Sequence, residues 1–416
     1  MTEFHDDLET RDPAVRETAL FENLRNQIAR AQAKAPGIAR HLGGVEAAAV
    51  TGRAALAALP VLRKSALIEM QRADPPFGGL TTRPANTFDR IFQSPGPIYE
   101  PGMAAAADWW RFARAFHAAG FRRGDIIHNA YSYHLTPAGH MMESSARALG
   151  CTVLAGGVGN TEAQVNAAAD VGVTGYVGTP DFLKVMLDKA GEIGRDLSAI
   201  TRALVSGGPL FPSLRHEYAE RGIQCLQCYG TADVGSIAYE TTGGAGALEG
   251  MVVDEGVILE IVRPGTGDPV PEGEVGEVLV TALNPDYPLI RFATGDLSAV
   301  LPGASPCGRT NMRIKGWMGR ADQTTKVKGM FVHPEQIAEV LRRHPEVVKA
   351  RLTVTRDGEQ DAMRLAVEAE SPSPELAAAV RETMQAVLKL RGEVEAGIPG
   401  SLPNDGKVID DIRKLD

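Results

Sequence analysis

Three glycine-punctuated clusters in the second half of the chain carry residue types that could do chemistry. In Tyr229-Gly230-Thr231-Ala232-Asp233 an aromatic ends an apolar run, and a glycine turn then presents a hydroxyl and a carboxylate. An aromatic face can stack on a purine, and a nearby carboxylate can hold Mg2+ against phosphates. A plain strand-to-loop turn would use the same residues. Arg291-Phe292-Ala293-Thr294-Gly295-Asp296 sets a cation ahead of a Thr-Gly-Asp turn. Its aspartate can accept both hydroxyls of a ribose, or simply close an Asx-type turn. Gly319-Arg320-Ala321-Asp322 followed by Lys326-Val327-Lys328-Gly329 reads as a hinge with a basic hairpin, or as a solvated charged loop. Cys225-x-x-Cys228 has metal-ligand spacing, with Cys307 as a third candidate. However, Ile223–Cys228 reads as a strand, where positions three apart face opposite sides, so buried structural cysteines are the favoured reading.

These clusters need a scaffold, and the apolar periodicity supplies one. Residues from about 11 to 73 read as helices, with Leu20, Leu24 and Ile28 at four-residue steps and an Ala/Leu-rich stretch ending at Pro60. A Pro-, Gly- and Thr-rich loop is expected from Asp74 to about Gly102. Trp109, Phe112, Ala113 and Phe116 then predict a helix closed by Gly120. Up to about Gly235, short apolar runs alternate with helical segments: Thr152–Ala155, Ala163–Ala169, Gly175–Val177, Phe182–Ala190 and Ala203–Ser206. That alternation predicts parallel strands with crossover helices. After about Gly250, Val257, Leu259 and Ile261 alternate with polar residues and predict antiparallel β structure. A helix opened by Pro334, strands at Ala350–Thr355 and Met363–Ala369, and a helix marked by Leu376, Val380, Met384, Val387 and Leu388 follow. The expected fold class is α/β: a large N-terminal body of α/β layers plus a β subdomain over residues 1–319, with a small mobile α+β C-terminal domain over 320–416.

Composition narrows the function classes. The 416 residues are 44% apolar and 23% charged, which is ordinary for a globular chain and excludes a disordered or collagen-like one. Lys+Arg number 43 against 52 for Asp+Glu, a net charge of −9. Nucleic-acid affinity is mostly phosphate neutralisation, so no nucleic-acid partner is expected, and cations for a phosphorylated ligand must be local. Four cysteines are too few for a disulfide framework. No basic, apolar leader opens the sequence and no apolar stretch spans a bilayer, so a cytoplasmic protein with no membrane partner is expected. Walker-type Gly-Lys-Ser/Thr, G-x-G-x-x-G after a strand, H-E-x-x-H and G-x-S-x-G patterns are all missing.

The order and spacing of the clusters resemble the adenylate-forming (AMP-binding) superfamily, and within it the phenylacetate-CoA ligase group, over essentially the whole chain. Leu59-Pro60-Val61-Leu62-Arg63-Lys64 and Pro75-Pro76-Phe77-Gly78-Gly79 are similar to that group's opening helix and loop. Tyr133-His134-Leu135-Thr136-Pro137-Ala138-Gly139, Gly157–Thr161 and Gly178-Thr179-Pro180 follow its middle section. Ser206-Gly207-Gly208-Pro209 resembles the stretch along the adenine. Cys307-Gly308-Arg309-Thr310 and the three clusters above resemble the later core motifs, and Leu402-Pro403-Asn404-Asp405-Gly406-Lys407 the loop of the adenylation lysine.

The resemblance implies a two-step ligase using ATP, Mg2+ and coenzyme A. A small organic or aromatic carboxylate attacks the α-phosphate of ATP, giving acyl-adenylate and pyrophosphate; coenzyme A then displaces AMP. By position, Ser206, Gly207, Gly208, Pro209, Tyr229, Gly230 and Thr231 would hold the adenine side, Asp296 the ribose and Asp233 the metal. Arg320 would assist at the ribose, Asp322 would be the hinge, and Lys407 would bridge carboxylate and phosphate. Lys328 and Gly329 would line the pantetheine tunnel. His134 would sit near the acyl carboxylate, although a core histidine reads equally well there. A homodimer is a family-level expectation.

Two departures stand out. Where the group has a Ser/Thr/Gly-rich phosphate loop followed by lysine, this chain has Phe92-Gln93-Ser94-Pro95-Gly96-Pro97-Ile98-Tyr99-Glu100-Pro101-Gly102. Its prolines remove N–H donors, no lysine is present, and Glu100 would repel phosphate. Asp233 also stands where the group has glutamate, one methylene shorter. The first departure favours a second reading, a weakly adenylating nucleotide- or acyl-CoA-binding protein. A third is an adenylating enzyme with a non-CoA acceptor.

Overall fold

The computed structural model describes residues 3–208, 210, 212–243, 246–318, 321, 325–327, 330–332, 334–357, 360–403 and 407–413. The chain divides into two compact units. The first comprises Met1–Leu259, Val280–Phe292 and Leu301–Gly316; the second comprises Glu260–Leu279, Ala293–Val300 and Trp317–Asp416.

The first unit opens on helices α1 (Pro13–Lys34), α2 (Pro36–Leu42), α3 (Arg53–Ala57) and α4 (Lys64–Ala73), matching the helical reading of this stretch. Asp12 caps α1 by accepting from Ala14 N at 2.8 Å, and Pro13 takes the first helical position, where its missing N–H costs nothing. Leu20, Leu24 and Ile28 are buried, each worth about 1.5–3 kcal/mol of hydrophobic transfer. Strand β1 (Leu62–Arg63) leads directly into α4.

The segment expected to be a loop up to Gly102 contains a hairpin instead, β2 (Arg90–Ser94) paired antiparallel with β3 (Ile98–Gly102), with Phe92 opposite Glu100. The helix expected from Trp109 is shorter, running as α5 from Ala113 to Ala118. Asp108 and Arg111 adopt left-handed backbone, with φ of 52° and 67°, which a continuous helix cannot contain.

The α/β layer follows the sequence reading closely. Strands β4 (Ile126–Asn129), β5 (Thr152–Ala155), β6 (Gly175–Gly178), β7 (Arg202–Val205) and β8 (Gln224–Thr231) lie in spatial order 5-4-6-7-8, all parallel. Helices α6 (Ala138–Ala148), α7 (Thr161–Val171), α8 (Pro180–Glu192) and α9 (Pro212–Glu220) connect them. Period-two alternation sends Ile127, Val177, Leu204, Leu226 and Cys228 into one core with Phe116 and Met141. Tyr176, Ala203, Val205 and Cys225 enter the opposite core with Leu183 and Met186. The two cysteines of the Cys-x-x-Cys pair therefore sit on opposite faces, each in its own apolar cluster. Strand β9 (Gly235–Tyr239) returns antiparallel beside β8.

In the second unit, α10 (Pro334–Arg342) and α11 (Pro374–Leu388) pack on a sheet in the order Glu393–Gly397, Gln360–Ala369, Val347–Asp357, Ile409–Asp411. Its central pair is antiparallel and both outer pairs are parallel. Ser373 caps α11 through Leu376 N at 3.1 Å, and Val340, Leu352, Leu365, Val380 and Met384 share one core. The strand Val257–Val262, expected to have one polar face, is buried at every position, Glu260 included. The Thr-Gly-Asp segment is not a turn: it lies inside the strand Phe292–Ser298, with Gly295 at φ 75°. Among the described residues, no helix is long and apolar enough to cross a membrane.

Candidate active site

In open parallel sheets ligands gather beyond the carboxyl ends of the strands. In the first unit those ends are Asn129 of β4, Gly178 of β6, Val205 of β7 and Thr231 of β8. Of the sequence-selected segments, Tyr133–Gly139 lies in the loop after β4 and the opening turn of α6, Ser206–Gly208 follows β7 directly, and Tyr229–Asp233 runs over the end of β8. The Tyr131 hydroxyl lies 2.9 Å from both the Gly178 and Ser206 carbonyls, joining two strand ends. Asn129 Nδ2 donates to Tyr133 Oη at 2.7 Å and to Gly139 O at 2.8 Å, which fixes the intervening loop. Gly207 has a φ of 75°, and a Cβ there would meet nothing closer than Thr179 at 3.8 Å and Tyr131 at 3.9 Å. This leaves open space beside the backbone.

Tyr229 and Gly230 mark a bulge in the β8–β9 pairing. Tyr229 is buried at 7% relative exposure. Gly230 is a packing requirement, because a Cβ would fall 2.6 Å from Gly235 O and 2.7 Å from Phe112 Cζ. The Thr231 hydroxyl accepts from Val234 N at 3.3 Å, closing the turn that carries Asp233. Arg111 donates to the Val234 and Ser236 carbonyls and clamps this hairpin from outside.

Asp233 is buried, and its Oδ2 accepts from Lys64 Nζ at 3.0 Å. Its Oδ1 has no hydrogen-bond partner. Lys64 is the first residue of α4, where the helix dipole disfavours a cation, so the carboxylate is what accounts for its placement. Beside this pair lies Glu100. Along β2 and β3 the inward positions are Phe92, Ser94, Ile98 and Glu100, and the outward Tyr99 is exposed. A carboxylate thus occupies a position that the strand pattern reserves for apolar side chains. Burial, then the charge of Asp233, pushes Glu100 up to about 8, while Ser94 and Lys64 oppose the shift. The buried, partner-less oxygen of Asp233 fits a Mg2+ ligand, a hard cation held by carboxylate oxygens and waters.

The other selected residues stand as follows. His134 is exposed, its backbone N–H donating to Ser132 Oγ at 3.2 Å. It is His140 that meets Tyr133, ring to ring at 5.1 Å, and Phe92 at 5.4 Å. The Arg291 guanidinium is spent on the carbonyls of Ala57 at 2.8 Å and Leu59 at 2.5 Å. In the second unit, Asp296 is buried and accepts from Trp317 Nε1 at 3.1 Å. Lys407 is exposed and pairs with Asp410 at 2.7 Å. Pro209, Arg320, Asp322, Lys328 and Gly329 lie outside the described residues. Sequence reasoning did not single out Lys64, which pairs with Asp233, or His140, which packs on Tyr133 and Phe92. Glu100 was legible as a charge out of place, but not as a buried one.

Comparison with known proteins gives the family. Residues 103–284 match the model of the AMP-binding enzyme family, and residues 329–411 that of the AMP-binding enzyme C-terminal domain. Phenylacetate-coenzyme A ligase of Thermus thermophilus is 30% identical over 84% of this chain and 81% of its own. That of Escherichia coli is 31% identical over 68% and 67%. A crystal structure of 2-hydroxyisobutyryl-CoA ligase with its acyl-AMP and CoA superposes with a TM-score of 0.71 at 23% identity, covering 99% of this chain and 93% of its own. That last likeness shows the fold. With strand ends, carboxylate and both family segments in sequence order, the chain belongs to the AMP-binding enzyme family.

Proposed function

We propose that the chain is an AMP-forming acid–CoA ligase for an aromatic or other small organic carboxylic acid. The observation that carries this reading is the likeness to phenylacetate-CoA ligases along most of the chain. In the first half-reaction the acid's carboxylate attacks the α-phosphate of ATP and pyrophosphate leaves. In the second, the coenzyme A thiolate attacks the acyl carbon and AMP leaves. Tyr229, Ser206, Gly207, Gly208 and Pro209 line the adenine side, with Gly230 and Thr231 shaping the turn beneath it. Asp296 takes the ribose hydroxyls once the Trp317 indole N–H releases its carboxylate, and Arg320 assists. Asp233 would hold Mg2+, which would screen phosphate charge. Lys407 leaves Asp410 to bridge the acyl and phosphate oxygens, stabilising charge that grows in the transition state. Asp322 is the hinge for residues 320–416, and Lys328 and Gly329 meet pantetheine. His134 reaches the acyl carboxylate from the loop after β4. The protein acts in the cytoplasm as a homodimer, which light scattering would check.

One observation favours a second reading, a weak adenylator on the same fold. The segment in the phosphate-loop position is a closed hairpin that turns Glu100 inward. Pyrophosphate release dependent on added aryl and short-chain acids, with and without coenzyme A, separates the readings. Release with thioester formation supports the ligase, and no release from any acid supports the second reading. AMP without thioester would indicate a different acyl acceptor.

A further inference from the structure

The inner face of the β2–β3 hairpin holds more acid than the ligase reading uses. Glu100 is 1% exposed and Asp233 5%. Both oxygens of Glu100, Oδ1 of Asp233 and the hydroxyl of Tyr287 have no hydrogen-bond partner. Tyr287 is itself 2% exposed and faces both carboxylates, whose charge adds to burial in raising its pKa. A buried polar atom left unpaired costs more than the hydrogen bond it lacks, and neighbouring carboxylates compound that cost. Four unpaired buried oxygens on three side chains that feel one another's charge mark a candidate ligand site.

The charge says which kind. Lys64 is the cation that faces the pair, and a divalent ion taking its place binds both acids as carboxylates, releasing any proton they hold. The Lys64 side chain is 37% exposed and can swing to water on its long stem, which leaves both acids to a cation. The donors are all oxygens, which select hard ions. Among the described residues, no group of three or more His, Cys, Asp or Glu could form a metal cage. Mg2+, which keeps several waters and takes one or two carboxylates, fits such a half-built site.

We propose that Glu100 and Asp233, with the Tyr287 hydroxyl beside them, form a divalent-cation site that loads without nucleotide, and that Lys64 stands in for the cation when the site is empty. The proposal shares Asp233 with the ligase reading, but cation binding is measured without ATP, acid or coenzyme A. Its failure would leave that reading untouched.

The test titrates nucleotide-free, full-length protein with Mn2+, reading free ion by its electron paramagnetic resonance signal, then adds Mg2+ as competitor. Wild type binds one Mn2+ per chain, and Mg2+ displaces it. Glu100→Gln weakens binding about tenfold or more. Lys64→Met, at a partly exposed position, tightens it by removing the competitor. Absence of stoichiometric Mn2+ in the wild type, or equal affinity in Glu100→Gln, overturns the proposal. Thermal melting by circular dichroism checks that variant's fold. If it does not fold, the Lys64→Met arm decides alone, and equal or weaker binding there overturns the proposal as well.

Discussion

Lys64 Nζ lies 3.0 Å from Asp233 Oδ2, joining two residues 169 positions apart in the chain. The contact ties the first turn of α4 to the turn between β8 and β9. It also supplies the positive charge facing two buried acids. Removing that charge leaves the buried Asp233 without its ammonium partner, in a low-dielectric setting where an uncompensated charge is costly. Lys64→Met therefore lowers the melting temperature in EDTA. Millimolar Mg2+ then recovers much of the loss, because a ligand that binds only the folded state stabilises it. Calorimetry of both proteins with and without Mg2+ measures this. A loss that Mg2+ does not touch would mean that Lys64 acts only as a tether.

Glu100→Gln is expected to do the opposite. The amide keeps the shape and removes an acid that has no partner and a carboxylate neighbour. Its N–H can also donate towards the unsatisfied Oδ1 of Asp233. The gain is about 1–3 kcal/mol, the cost of an unsatisfied buried polar group. Urea unfolding at neutral pH reads it directly. A destabilised variant would show that the glutamate side chain has a structural partner.

The contrast between these residues and the rest shows what the sequence makes legible. The strands β5, β6 and β7 were readable because each is a short apolar run between helical periods, and the Tyr229–Asp233 turn because glycine punctuates it. The β2–β3 hairpin was not. Pro95, Pro97 and Pro101 read as loop, yet proline is tolerated in a two-stranded ribbon wherever its missing N–H is not needed. The helix expected at Trp109 begins four residues later, because Asp108 and Arg111 take left-handed backbone that side-chain periodicity does not reveal. Lys64 sits within a legible motif, but its partner is fixed by tertiary packing alone. The same holds for Arg291: its type suggested ligand chemistry, and the fold uses it to hold two carbonyls of the helical opening.

His117 should give the protein a measurable acid weakness. It is buried, with Nδ1 unpartnered and its ring edge-on to His5 at 5.7 Å. Burial, then Arg122 and His5, pushes it down to about 4, with Glu9 opposing. The unfolded chain takes up this proton at the ordinary value of 6.5, well before the folded one does. The contribution to stability is therefore complete above 6.5 and is lost as pH falls towards 4. Discounting for partial solvent screening, the loss is about 1–2 kcal/mol. His117→Phe keeps a ring against His5 and removes the titration. The wild-type urea midpoint should fall relative to that of His117→Phe as pH drops from 7 towards 4, and parallel pH profiles would rule the contribution out.

Lys407→Ala separates the two half-reactions. Lys407 is exposed and pairs with Asp410, which is also held by Arg351 at 2.5 Å, so the aspartate stays paired when the lysine is gone. The melting temperature should not change, which removes misfolding as an explanation for lost activity. If the ammonium bridges acyl and phosphate oxygens in the first step, its loss removes a preorganised charge from the transition state. That costs about 10²–10³ in carboxylate-dependent pyrophosphate release. The second step needs no such bridge, since the acyl-phosphate bond is already made. Thioester formation from a supplied acyl-adenylate and coenzyme A should therefore stay near the wild-type rate. Equal losses in both assays would place Lys407 in binding of the shared adenylate, and an unchanged first step would remove it from the chemistry altogether.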